Sequence, residues 1–541
     1  MMEGYIVLRQ KYKNQTILKM SKKIIWVGII SIMLGSLIYI FKTKKSEGIN
    51  PIQTTESTNT PIVKNDTPNN LLQNNSNQTP SKEPVSSKSS AKQAVFQAGI
   101  GAVDITLPYN RSAKKDSKTA TSQKIHDKLY AKALVLDDGS TKIAMIVADN
   151  QGIPGWIIDE AKTKIERETG IPIENIMISS THTHSGIYAG SPVNTNKSFD
   201  NYQNLLVRKL AESAKSAFNN LKPAQIAWGS FNEPRYVHNR RWYTKTANSN
   251  PFGLMDSVTT NPGYTNQKNL IKPAGPTDPE VSFIALKSSD GKPMAIFANY
   301  SVHYIGVPST DISADYYGEF GKVLANKFGV NNLTDFIGIM SNGTSGDINS
   351  LDYGAPKESI QHYSKINKVA NDLADNLIKK YNSLEFQSWV PLKSVNKKIS
   401  IKLRGPSTVM RRNMGNAQKR SSKSNNAKEK QQRYYAVRVG AMEKNYPQSP
   451  QINLQVFKIG DLAIGAIPFE VFAETGLKIK KLSPFKDYFT IGLANGQWGY
   501  LPTPNQYKKG GYETWLTVSR FNENTSEIIS ENIINSLNSL K

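Results

Sequence analysis

The chain has 541 residues, with 68 Lys and Arg against 43 Asp and Glu, and it contains no cysteine. That absence excludes disulfide staples, thiolate metal sites, a cysteine nucleophile and a lipidated cysteine, so any metal must be held by His, Asp, Glu or Tyr. The net charge of +25 favours contact with polyanions, and the length allows one large domain or two to three ordinary ones.

Residues Ile24 to Phe41 read IIWVGIISIMLGSLIYIF, eighteen uncharged residues between Lys22-Lys23 and Lys42. Such a run is long enough to span a bilayer. No small-x-small cleavage site precedes the following lysines, which favours an uncleaved transmembrane anchor over a signal peptide. Arg9, Lys11, Lys13, Lys19, Lys22 and Lys23 outnumber the lysines just after the span, which puts residues 1–23 in the cytoplasm and the bulk of the chain outside. Met20 is an alternative start. Residues 42–94 are rich in Asn, Thr, Ser, Gln and Pro and nearly free of aromatics, the composition of a disordered linker.

Residues 95–541 read as a single large α/β (mixed α+β) domain with mixed β-sheets flanked by helices. Lys132 to Ala148 predicts a hairpin turning at Asp137-Asp138-Gly139, and Trp156 to Thr169 has helical spacing. A strand over Ile171 to Ser179 and an amphipathic helix over Tyr202 to Leu221 follow. Val281 to Leu286 and Met294 to Asn299 predict a second hairpin around Ser289-Asp290-Gly291. Tyr316 to Phe328 and Lys365 to Tyr381 read as helices, and Ile452 to Ile467 as two strands. Part of the charge lies in Arg411 to Arg433, read as a solvated loop or a grip for anionic lipids or envelope polymers. No nucleic-acid motif accompanies it, so no nucleic-acid partner is assigned.

Chemistry concentrates in four places. Thr181-His182-Thr183-His184-Ser185-Gly186 sets two of the six histidines two residues apart, a spacing that points both side chains to one face of an extended backbone. A shared metal or proton-transfer site is the first expectation. Asn299-Tyr300-Ser301-Val302-His303 closes a predicted strand, where catalytic residues often sit, although a lone histidine there is also a common core residue. Glu470 in Ile467-Pro468-Phe469-Glu470 reads equally as the acidic start of a helix. The tyrosines of Gly499-Tyr500-Leu501-Pro502-Thr503 and Gly511-Tyr512-Glu513 read as packing residues when taken alone.

In order and spacing, these segments resemble the neutral/alkaline non-lysosomal ceramidase family, zinc amidases that cleave N-acyl sphingosines. The resemblance also rests on Ala98-Gly99-Ile100-Gly101-Ala102-Val103-Asp104-Ile105-Thr106, Leu129-Tyr130-Ala131, Asn239-Arg240 and Asp278-Pro279-Glu280-Val281. It implies Zn2+ bound by His182, His303, Glu470 and Tyr500, with an activated water attacking the amide carbonyl. It further implies His184 as the acid/base, Arg240 and Tyr512 as substrate-holding or oxyanion-stabilising groups, and Asp347 within the catalytic set. One departure stands out: Asn349 in Gly346-Asp347-Ile348-Asn349-Ser350 occupies the family's serine position. Phe469 before the metal Glu and Ile187-Tyr188 after the HSG segment are further departures.

The resulting expectation is a membrane-anchored, extracytoplasmic zinc amide hydrolase whose substrate is an N-acylated lipid or another amide, including one derived from the cell wall. The rivals are a zinc esterase or phosphoesterase, and a surface-tethered polyanion-binding protein on a degenerate hydrolase scaffold.

Overall fold

The computed structural model describes residues 95–107, 124–308, 311–330, 332–419 and 426–541. The predicted cytoplasmic segment, the span at 24–41 and nearly all of the linker at 42–94 lie outside these residues. Among the described residues, no helix is long and apolar enough to cross a membrane.

Eight strands form the larger sheet: β1 (Gln97–Asp104), β2 (Tyr130–Asp137), β3 (Lys142–Ala148), β4 (Ile176–Ser180), β5 (Lys222–Asn232), β6 (Glu280–Ser288), β7 (Pro293–Tyr300) and β8 (Ile337–Asn342). Their order is β8-β7-β6-β5-β1-β2-β3-β4. β3 with β4 and β7 with β8 are parallel, and the other neighbours are antiparallel. Four more strands form a second sheet in sequential order: β9 (Leu392–Ser400), β10 (Gln451–Ile459), β11 (Leu462–Ala466) and β12 (Asp487–Ile491).

Both predicted hairpins form, because a local turn decides each: Gly139 at φ 91° and Gly291 at φ 85° adopt the left-handed conformation that glycine tolerates best. The runs ALVL in β2 and IAMIVA in β3 are buried without alternation because both faces of the larger sheet are covered. One face meets the second sheet through Phe96, Leu134, Leu136, Met145 and Ile339 against Phe457, Ile459, Ile464 and Phe489. The other face is covered at one end by helices α1 (Gly155–Thr169) and α2 (Asn201–Asn219). At the other end it is covered by α3 (Asp315–Lys327) and α4 (His362–Tyr381). Helices α5 (Thr408–Lys419) and α6 (Ala427–Asn445) connect β9 to β10. They are followed by α7 (Ala473–Leu482), α8 (Pro504–Lys509) and α9 (Thr525–Asn538), with α7 and α9 on the outer face of the second sheet. The result is a mixed α/β domain layered helix, sheet, sheet, helix.

Helix α2 starts at a capping box in which Asp200 and Gln203 exchange side-chain bonds with each other's backbone N–H, each at 2.8 Å. Its small-residue face lies directly on β1. A Cβ at Gly99 would come within 1.9 Å of the Ala217 carbonyl oxygen, and one at Gly101 within 2.3 Å of that of Ser213. The glycines of the AGIGAVDIT segment therefore let a helix touch a strand backbone.

Two expectations change. Arg411 to Arg433 is largely helical, shared between α5 and α6, with residues 420–425 outside the described set. Asn426 accepts from the N–H of Lys428 at 2.9 Å and caps α6, and Ala, Lys, Glu and Gln propagate the helix. The predicted strand at Ile171 to Ser179 begins only at Ile176, after a short 3-10 turn at Ile173–Asn175.

Candidate metal centre

The edge strands β4 and β8 stand at opposite ends of the sheet order, yet their C-terminal ends meet. Asn342, the last residue of β8, donates from Nδ2 to the Thr181 carbonyl just past β4, at 3.1 Å. The chain leaving β12 stitches both edges, with Gly492 N donating to Asn342 O at 2.9 Å and Ser180 N to Leu493 O at 3.3 Å. The segments after β4, β7, β11 and β12 thus converge on one place, although the first and last of them are some three hundred residues apart in sequence.

His182 follows β4 with φ 70°, a left-handed conformation that is uncommon for a non-glycine residue and a mark of a constrained site. Strand alternation is therefore not what brings the two histidines together: β4 has ended, and a kink at His182 turns the chain so that both rings face inward. His182 Nε2 lies 3.0 Å from His303 Nε2, and His184 Nε2 lies 3.2 Å from each. His182 and His303 are buried, while the outer edge of His184 meets solvent and its ring stacks on Tyr304 at 4.1 Å between centroids.

Backbone carbonyls fix the two buried rings. His182 Nδ1 faces Gln151 O at 2.5 Å and His303 Nδ1 faces Ser345 O at 3.0 Å. A carbonyl can only accept, so the shorter contacts favour Nδ1 as donor in both rings over the 3.4 Å approach of Arg240 Nη1 to His303 Nδ1. With Nδ1 protonated the Nε2 lone pairs point at one another, the arrangement found behind metal-binding histidines. Burial, with Arg240 and the neighbouring imidazoles adding to it, holds His303 well below the ordinary imidazole range. The ring nitrogen of His184 that faces the cluster is shielded from water although the residue's outer side is exposed, and this shielding, with His182 and Arg240, lowers that imidazole as well.

Glu470 and Tyr500 come from the second sheet's side as Cα partners in a two-residue parallel pairing, Glu470–Val471 with Tyr500–Leu501. Glu470 Oε2 is 3.2 Å from His182 Nε2 and 3.9 Å from His303 Nε2, buried, and without a hydrogen-bond donor. Tyr500 receives a bond from Arg240 Nη2 at 3.0 Å, and burial followed by Glu470 raises its phenol well above the usual value.

These residues fit a divalent metal. Tetrahedral coordination at zinc's usual bond lengths separates ligand atoms by about 3.3–3.4 Å, close to the nitrogen spacing seen here. An unsatisfied carboxylate oxygen beside inward lone pairs is costly without a cation. His182, His184 and His303 form a group whose ligand atoms all lie within 4.8 Å of one another. By distance alone, His184 is not set apart from the other two.

Arg240 is buried behind this set rather than open to a ligand. It enters beside a short pairing of His238–Asn239 with Ile348–Asn349, and its N–H donates to Asp347 O at 2.9 Å. Its side chain donates to Glu513 Oε1 and to Gly346 O, each at 2.8 Å, besides Tyr500. Asp347 is fully buried and braces the loop: its carboxylate accepts from Asn239 Nδ2 at 2.7 Å and from Ala473 N at 2.9 Å, and burial raises its pKa to about 6. Tyr512 is partly exposed, with its ring 5.9 Å from that of Tyr500. Asn349 is engaged elsewhere, donating from Nδ2 to Asn261 Oδ1 at 2.8 Å and accepting from Leu351 N on Oδ1.

Glu513, Tyr304, and the Gln151 and Ser345 carbonyls were not singled out by sequence reasoning. Glu513 had a signal, as a carboxylate inside the GYE segment; a carbonyl that orients an imidazole has none.

Residues 96–361 match the family model described as neutral/alkaline non-lysosomal ceramidase, N-terminal. His182, His184, Arg240, His303 and Asp347 fall within the match, and Glu470, Tyr500 and Tyr512 beyond it. Among solved structures, the chain is similar to neutral ceramidase from Pseudomonas aeruginosa, with a TM-score of 0.60 and 16% identity over 83% of this chain and 74% of that one. A ceramidase complexed with C2 has the same TM-score and identity, covering 83% and 75%. At such identity the likeness is one of fold.

Proposed function

This chain belongs to the neutral/alkaline non-lysosomal ceramidase family through residues 96–361, and from that premise we propose that it is a zinc-dependent hydrolase of N-acyl amides. The observation that carries the reading is the convergence of three imidazole Nε2 atoms, 3.0–3.2 Å apart, beside the unpartnered Glu470 Oε2. His182, His303, Glu470 and Tyr500 would hold the ion. Zinc bound there would supply Lewis acidity and would lower the pKa of a neighbouring water towards about 7.

The chain's own groups would do the rest. His184, at the solvent edge of the cluster, takes the proton of the attacking water on Nε2 and returns it to the departing amine nitrogen. Tyr512, at the mouth, donates its hydroxyl to the carbonyl oxygen as that atom gains charge. Arg240 holds the Tyr500 hydroxyl in place, and Asp347 fixes the start of α7 against the Asn239 loop. None of this needs a serine nucleophile, so Asn349 is compatible with it.

An N-acyl sphingosine or a related N-acyl lipid is the substrate class the family suggests, and a wall-derived amide is the second. The enzyme would be anchored by residues 24–41, with residues 95–541 outside the cytoplasm and its basic surface near anionic envelope polymers. An esterase reading uses the same groups. The test is turnover of N-acyl sphingosine, a simple N-acyl amine and its matched ester by the purified full chain, with products identified by mass spectrometry. We expect release of fatty acid and free amine, loss of activity on chelation and recovery with zinc. No amide cleavage by the zinc-loaded protein, or cleavage indifferent to chelation, contradicts the proposal.

A further inference from the structure

Next to the histidine cluster lies a wall carrying two arginines, Arg438 and Arg520, neither of which forms an ion pair within 4 Å among the described residues, the carboxylate of Glu470 acting on Arg520 only from within the cluster. Arg438, half-buried on α6, donates from Nη1 to the Tyr434 hydroxyl at 2.8 Å and lies over that ring at 5.3 Å. Arg520, also half-buried, donates to the Trp498 carbonyl at 2.7 Å and lies 6.0 Å from the centre of the Tyr446 ring. The Tyr446 hydroxyl meets Ser191 Oγ at 3.1 Å, which brings the segment after His184 to the same wall.

The strongest neighbours of these two arginines are mostly tyrosines, with one carboxylate, Glu470, among them. Around Arg438 they are Tyr434, Tyr435 and Tyr512. Around Arg520 they are Tyr446, Tyr188, Arg438 itself and, from the cluster, Glu470. Two guanidiniums therefore stand near one another with a tyrosine belt about them. Half-buried cations that lack a counterion are costly to hold, and an incoming anion relieves that cost. A guanidinium also matches planar oxyanions better than any other side chain, through paired N–H donors. An alkyl chain can pack on the tyrosine rings but offers the guanidiniums no charge, so the anion is placed on the part of the substrate that is not the acyl chain.

We propose that Arg438 and Arg520 form a subsite for an anionic group, a carboxylate or a phosphate, carried by the amine half of the substrate close to the scissile amide. The inference rests on the hydrolase reading above and narrows its substrate to an N-acylated amine bearing an oxyanion, in place of a neutral amino alcohol. The two arginines are specificity-determining residues, with no part assigned to them in bond cleavage.

The test compares three amides with one acyl chain, N-lauroylglycine, N-lauroyl-O-phosphoethanolamine and N-lauroylethanolamine, on the zinc-loaded full chain and on its Arg438→Gln and Arg520→Gln variants. We expect kcat/KM for one of the anionic amides to exceed that for the neutral amide by about 10-fold or more. In either variant that preference should fall to within about 3-fold while the neutral amide keeps its rate, and added salt should erode it in the wild type. Which anionic amide leads identifies the oxyanion. Equal turnover of anionic and neutral amides by the wild type, or a preference that survives both substitutions, overturns the proposal. Calorimetric binding of the same amides, wild type against Arg438→Gln, separates it from the parent reading. Anion-selective binding that the variant loses, with no amide cleaved, sinks the hydrolase and keeps the anion subsite. Hydrolysis with no difference in binding sinks the subsite alone.

Discussion

Glu513 holds the back of the proposed metal centre together. It is fully buried, and its two oxygens accept from Arg240 Nε at 2.8 Å and Arg241 Nη1 at 2.7 Å. Burial pushes its carboxyl up, but the two guanidiniums outweigh that and leave it below the ordinary carboxylate range. Because the folded-state value is depressed, this contribution to stability is present above the unfolded-state value and is lost as pH falls through the folded one. Removing the charge strands two buried cations, so Glu513→Gln should cost about 3–5 kcal/mol in denaturant unfolding at neutral pH. A loss below about 1 kcal/mol would mean that the network is not what holds Arg240. At this scale the sequence revealed residue types better than positions. The His-x-His spacing marked a site, but its convergence comes from the left-handed turn at His182, which no spacing rule foretells. His303, Glu470 and Tyr500 were reached only through family resemblance, since the contacts that join His303 and Glu470 to His182 span more than a hundred residues.

Helix α1 carries an element-level liability at Lys162. The side chain is fully buried on a face otherwise made of Ile157, Ile158, Ala161 and Ile165, and its Nζ has no hydrogen-bond partner. Burial lowers its pKa to about 7, with Asp159 opposing the shift and Lys398 adding to it. Below pH 7 both folded and unfolded states carry the proton, and the full penalty of a buried charge is felt. Between about 7 and the unfolded value near 10.4 the unfolded state binds more protons, and stability rises with pH. Lys162→Met should therefore stabilise the protein by about 1–4 kcal/mol at pH 6, with the gain shrinking as pH rises towards 10 in thermal melts. A gain independent of pH would show that the ammonium is not buried as described. Elements governed by local signals, such as the hairpins at Gly139 and Gly291 and the capping box at Asp200, were legible in the sequence. The helices at 408–445 were not, because their charge suggested a solvated loop while their helix-forming composition was the stronger local preference.

On the scale of the whole molecule, the candidate centre is a product of two sheets. His182, His184 and His303 follow strands of the eight-stranded sheet, whereas Glu470 and Tyr500 follow strands of the four-stranded one. The layered mixture of strands and helices was legible from alternating patterns. The strand order was not, because the meeting of β4 with β8 depends on long-range closure at Asn342, Thr181 and Gly492. A centre of this kind should bind its ion only when both sheets are in place, and each should supply at least one indispensable ligand. The most direct measurement is zinc content by mass spectrometry of the purified full chain and of His182→Ala, His184→Ala, His303→Ala and Glu470→Gln, each checked for folding by circular dichroism. We expect about one zinc per chain in the wild type, near-complete loss in His182→Ala, His303→Ala and Glu470→Gln, and retention in His184→Ala. Unchanged zinc in folded His182→Ala and Glu470→Gln would contradict the account.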